Sequence, residues 1–195
     1  MSIKARLRIL HHKISPWVLP LLLFIAGTGL YFRIGRAWFG MSKDTGQKVL
    51  YLHSGGWFGA SGSVLYLFML GIALMFLIVS GLWLWFSSGS SKAAPRKTHR
   101  VLAIVFSLPL MVTAVTGMAY QAGSKWFHAG QGTLALLSSL HQGSWLGPTL
   151  RPYYILLLAS SLIALCLTGW YMLLRKRRQP EPPLRTAVAP DQIKR

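Results

Sequence analysis

The chain has 195 residues, of which 21 are Lys or Arg and only 3 are Asp or Glu, for a formal net charge of +18. Charged types make up 12% and apolar types 53%, about half the charge of a soluble globular domain, so a water-facing surface cannot be built from this composition. The lone Cys166 excludes an internal disulfide framework and any cysteine-built zinc or iron–sulfur centre. The basic residues lie between the apolar runs and avoid them, a pattern that points to a membrane and away from nucleic acid.

In chain order, a basic segment at 1–15 leads into four runs able to cross a hydrocarbon core that takes about 20 helical residues. They are 16–32, 64–86, 101–120 and 153–174, and none contains Asp, Glu, Lys or Arg. Pro20 and Pro109 fall early in the first and third runs, where a missing backbone donor is tolerated. The organisation expected is a hairpin over 16–86, a connection at 87–98, a second hairpin over 99–174 and a basic, Pro-rich disordered tail at 175–195. Fifteen of the 21 Lys and Arg residues fall in the N-terminal segment, the second connection and the tail. The positive-inside rule therefore predicts both termini in the cytoplasm. Trp17, Trp38, Trp83, Trp85, Trp126 and Trp170 sit near run ends as interface anchors. A cleaved signal peptide is the competing reading of the first run, but Leu30-Tyr31-Phe32-Arg33 offers no small-residue cleavage site.

The two hairpins resemble each other at an offset of 88. His11 aligns with His99, Thr28-Gly29 with Thr116-Gly117, Trp38-Phe39 with Trp126-Phe127, Leu52-His53 with Leu140-His141 and Ser80-Gly81 with Thr168-Gly169. Rare residues carry this match, so apolar composition alone does not explain it. The fold class expected is an all-α integral membrane protein, a four-helix bundle of two tandem two-helix repeats related by an axis along the membrane normal. Both halves run in the same direction, so each membrane face receives two repeat-related histidines.

A haem iron needs two axial imidazoles from opposite sides, and a helix bundle can supply them from facing elements. Zinc or copper takes three or four protein ligands, which this inventory of Cys, Asp and Glu does not complete. We expect His11 with His99 to hold an inner haem b and His53 with His141 an outer one. Gly29 and Gly117, about 27 Å along a helix from His11 and His99, are expected to flank the outer macrocycle, and Gly81 and Gly169 the inner one. Arg100, with Lys97, Arg8 and Lys13, is placed to meet propionates inside; Arg33, with Arg36 and Lys125, is placed outside. His12 can replace His11 by a one-residue shift. The competing readings are interfacial polar histidines and plain helix-packing Ser-Gly and Thr-Gly pairs.

The stretch "THRVLAIVFSLPLMVTAVTGM" from Thr98 resembles the His-Arg, Pro, Thr-Gly pattern of PepSY-associated transmembrane proteins. "LHSGGWFG" followed by "SGLWLW", and "LHQGSWLG" followed by "TGWYML", resemble that family's second hairpin element. The resemblance spans roughly residues 8–174. It implies a bacterial inner-membrane protein related to haem-bearing reductases of ferric siderophores, with His11, His53, His99 and His141 as haem ligands. Residues 33–63 leave no room for the family's soluble PepSY domains, and "LHHK" departs from its His-Arg start.

Two functions follow. The first is a di-haem b electron conduit from the cytoplasmic to the periplasmic side, toward ferric iron, a ferric siderophore or another acceptor. No dinucleotide fingerprint is present, so its donor is a quinol pool or a separate reductase. The second is a structural or accessory subunit of a larger membrane complex, with or without a bound cofactor. The absence of acids from the spans argues against a proton pump, and no span is broken around a midplane polar site as in a transporter.

Overall fold

The structure, a computed structural model, describes residues 1–87 and 94–177. Among these residues every element is helical: α1 (Ile3–Trp38), α2 (Lys43–His53), α3 (Gly59–Phe86), α4 (Ala94–Lys125), α5 (Gln131–Gln142) and α6 (Gly147–Arg177). Single 3-10 turns at Gly56–Phe58 and Ser144–Leu146 lead into α3 and α6. The helices α1, α3, α4 and α6 are long and apolar enough to cross a bilayer, with mean hydropathy from 1.7 to 2.5. The chain is a multi-pass helical membrane protein.

These helices outrun the apolar segments that announce them. The 36 residues of α1 rise about 54 Å, against a hydrocarbon core of about 30 Å. Hydropathy marks the part that meets hydrocarbon, whereas backbone hydrogen bonding continues until a stop signal. For α1 the start is Ser2, whose side chain accepts from the Ala5 N–H at 3.3 Å. The stop is Gly40 at φ +60°, with the Met41 N–H bonded back to the Gly35 carbonyl at 2.9 Å. The basic segment at 1–15 is therefore helical from Ile3 and continuous with the first span. Pro16 and Pro20 lie inside α1, not at its start. Of the connection at 87–98, residues 88–93 lie outside the described residues, as do 178–195 of the tail.

The two connections at the other end of the bundle are helical as well. Ser42 caps α2 by accepting from the Thr45 N–H at 3.1 Å, and Asp44 in the first turn favours the helix dipole. After α2 and α5 the chain passes two glycines with positive φ before the next long helix begins. These are Gly55 (+70°) and Gly59 (+74°), then Gly143 (+67°) and Gly147 (+80°). Gly59 and Gly147 combine that φ with extended ψ values of −175° and 171°, a region open essentially to glycine alone. These turns follow directly on His53, the last residue of α2, and His141, the last but one of α5, and fix where they point.

In the bundle, α1 packs against α3 and α6, and α4 packs against α3 and α6. So α1 and α4 face each other across a diagonal, with α2 laid on α1 and α5 on α4. The core is thin: Leu19, Leu22 and Ala26 of α1 meet Leu70, Leu110, Leu158, Leu162 and Cys166. Outward, Trp17, Met69 and Leu108 are at least 70% exposed, as lipid-facing side chains are.

A Cβ at Gly147 meets nothing within 4 Å, so alanine there tests the backbone alone. We expect Gly147→Ala to cost about 1–3 kcal/mol, read as a lower unfolding midpoint in detergent. An unchanged midpoint would refute the turn geometry.

Candidate functional site

Each of the four repeat-related histidines reaches from one helix to a polar atom on the next. His11 of α1 lies with its Nδ1 2.7 Å from the Ser80 Oγ of α3. His99 of α4 lies with its Nδ1 2.8 Å from the Thr168 Oγ1 of α6. At the end capped by α2 and α5, the His53 Nδ1 is 3.1 Å from both the Ile25 carbonyl and the Thr28 Oγ1 of α1. The His141 Nδ1 is 2.9 Å from the Thr113 carbonyl of α4. The partners in one half stand 88 residues from those in the other: Ser80 and Thr168, Ile25 and Thr113.

These bonds assign the ring protons. A carbonyl only accepts, so His53 and His141 carry hydrogen on Nδ1. The Ser80 and Thr168 hydroxyls already donate to the Phe76 and Ala164 carbonyls, at 2.6 and 2.7 Å. They therefore accept from His11 and His99 as well. In all four rings the nitrogen left over by these bonds is Nε2. A metal-ligating histidine shows the same arrangement, its second ring N–H held by a carbonyl or another polar group.

The glycines expected at the site lie where these rings pack. A Cβ at Gly29 would stand 3.1 Å from the His53 Cε1, and one at Gly117 2.8 Å from the His141 Cε1. Those two positions admit the imidazole edge itself, a closer role than flanking a macrocycle. At the other end the contact is looser, 3.7 Å from Gly81 to the His11 Cε1 and 3.6 Å from Gly169 to the His99 Cε1.

Two chambers result. The larger, about 920 Å³ with its open part, is lined by His11, His12, Gly81, His99, Arg100 and Gly169 among leucines. The smaller, about 510 Å³, is lined by His53, His141, Gly117 and Thr113. Leu22, Leu74 and Leu162 line both chambers, so a single side-chain layer divides them. His12 is on the wall of the larger chamber beside His11, ring centres 6.1 Å apart. Arg33 is not on either wall: its Nη2 donates to the Gln142 Oε1 at 2.8 Å, one residue beyond His141.

His53 and His141 come from opposite sides, ring centres 6.4 Å apart and planes at 61°. The two rings meet edge to face in the chamber that both of them line. Burial pushes the His53 imidazole down to about 4, helped by the neighbouring His141, while its bond to the Ile25 carbonyl opposes the shift. Burial lowers His141 too.

Sequence reasoning missed the hydrogen-bond acceptors. The available signal was a hydroxyl before each glycine, in Thr28-Gly29, Ser80-Gly81, Thr116-Gly117 and Thr168-Gly169. Three of those hydroxyls take up a histidine, whereas Thr116 bonds the Val112 carbonyl at 2.7 Å. No family model, curated protein or solved structure matches the chain.

The lowered His53 and His141 values set a direction for stability. The unfolded chain binds protons below about 6.5 while the folded chain does not, so stability is complete above that pH and falls as pH drops toward 4. Thermal unfolding of cofactor-free protein should show this loss, and His53→Leu should flatten it. A midpoint unchanged between pH 7 and pH 4.5 would refute the buried neutral pair.

Proposed function

We propose that this protein is a transmembrane electron conduit that holds two haem b groups, one between His11 and His99 and one between His53 and His141. The observation that carries the reading is the 6.4 Å approach of the His53 and His141 rings from opposite sides of a chamber. Bound haem supplies one-electron exchange at iron. The chain's own residues do the rest. Ser80, Thr168 and the Ile25 and Thr113 carbonyls hold each Nδ1–H, orienting the rings and raising the basicity of Nε2. Gly29 and Gly117 let two of the rings sit against a helix, and Leu22, Leu74 and Leu162 stand between the two chambers. Arg100, on the wall of the larger chamber, is placed to pair with a propionate.

His11 is preferred over His12 because its bond to Ser80 duplicates that of His99 to Thr168. The 88-residue spacing of these contacts supports a tandem duplication of a two-helix unit, and the charge distribution supports both termini in the cytoplasm; the family resemblance implies a bacterial inner membrane. On that topology the His53–His141 pair is periplasmic. The donor is then a quinol or separate reductase, and the acceptor lies outside, ferric iron or a ferric siderophore. The motifs support a small member of the PepSY-associated family.

Counting haem against polypeptide tests this directly. We expect two haem b per chain, with reduced-minus-oxidised bands, and one after either His53→Ala or His141→Ala. Thr168→Val, which removes an Nδ1 partner while keeping the ligand, should weaken haem retention by roughly 10–100-fold. A colourless wild-type protein, reconstituted with haem and still colourless, would refute the conduit and leave an accessory subunit as the reading.

A further inference from the structure

At the end of the bundle that carries α2 and α5, three arginines converge with no carboxylate to meet them. Arg33 and Arg36 lie on the last turns of α1 and Arg151 near the start of α6, and all three line one cleft with Trp38 and Tyr153, of about 850 Å³ with its open part. Arg33 and Arg151 both donate to the Oε1 of Gln142, whose amide satisfies hydrogen bonds but carries no charge. Arg36 donates to the Met41 carbonyl at 2.7 Å, again a neutral acceptor. The Nε of Arg151 is buried without a partner. The one acid among the described residues is Asp44, which pairs with Lys48 at 2.7 Å on the exposed side of α2.

Three positive groups gathered on neutral acceptors repel one another, and nothing in the described chain offsets that. Guanidinium forks match carboxylate and phosphate oxygens in pairs, and the positive end of the α6 dipole adds to the field. We propose that the Arg33–Arg36–Arg151 cleft is an oxyanion-binding site that takes carboxylate- or phosphate-bearing ligands. Gln142 ties the cleft to His141 by sequence adjacency. If the conduit reading holds, on which this last step rests, the cleft is where an anionic electron acceptor docks beside the outer histidine pair.

The test is calorimetric titration of the full chain in detergent with citrate and with inorganic phosphate, beside a phosphorus count of lipid retained after delipidation. We expect one site per chain, weakened about tenfold or more by Arg36→Gln and by Arg151→Gln, and weakened as ionic strength rises past about 0.1 M. Arg36 is exposed, so its substitution leaves the fold intact if that of Arg151 does not. Binding of either free anion with this arginine dependence supports the site. Retained phosphatidylglycerol that is lost in Arg36→Gln supports it with a lipid headgroup as the source. No anion bound and no lipid retained, or binding indifferent to both substitutions, overturns it. Anion binding that vanishes on loading with haem assigns the arginines to propionates and also overturns it. A colourless protein that binds citrate would sink the conduit and keep the cleft, whereas a haem-loaded protein whose haem-free form also fails to bind would sink the cleft alone.

Discussion

The arrangement depends on the imidazole Nδ1–H being given away. Each of the four repeat-related histidines donates that hydrogen to an oxygen on a neighbouring long helix: Ser80, Thr168, or the Ile25 and Thr113 carbonyls. A half-buried imidazole needs such a partner, because an unmet polar hydrogen in an apolar bundle costs about 1–3 kcal/mol. Once met, it fixes the tautomer, the ring plane and the nitrogen left for other chemistry. The same bonds tie α1 to α3, α4 to α6, α2 to α1 and α5 to α4, so the groups that define the site also hold the helices in register.

The supporting backbone follows from glycine at a few positions. The pairs Gly55 and Gly59, and Gly143 and Gly147, turn the chain sharply enough to set the short helices against the long ones. The rings then descend onto Gly29 and Gly117, where even a methyl group would crowd them. Hydrophobic burial alone could not achieve this, because many of the large apolar side chains face outward and select membrane over water more than they select one packing.

Much of the architecture was legible in the order of residues. Four apolar runs gave four long helices, since hydropathy responds directly to a low-dielectric surrounding. The runs understated helix length: Arg6, Arg8 and Arg33 belong to the same helix as Leu22 but lie beyond the hydrophobic stretch. Helices α2 and α5, of 11 and 12 residues, leave little hydropathy signal, although Ser42 and Asp44 spell out a helix start. Pairing the histidines came from duplication, as did the glycines beside them. The Ile25 and Thr113 acceptors did not, because a main-chain carbonyl has no side-chain identity to betray it. The link from Arg33 to Gln142 joins residues 109 apart with no counterpart in the other half, so nothing in the pattern pointed to it.

Leu22, Leu74 and Leu162, shared by the two chambers, have a consequence for what can pass along the bundle. These side chains have no lone pair and no exchangeable hydrogen, and they interrupt any file of water that could relay a proton. Ions and hydronium meet there the cost of shedding their hydration. If the bundle conducts electrons as proposed, this layer keeps that path separate from any path for protons.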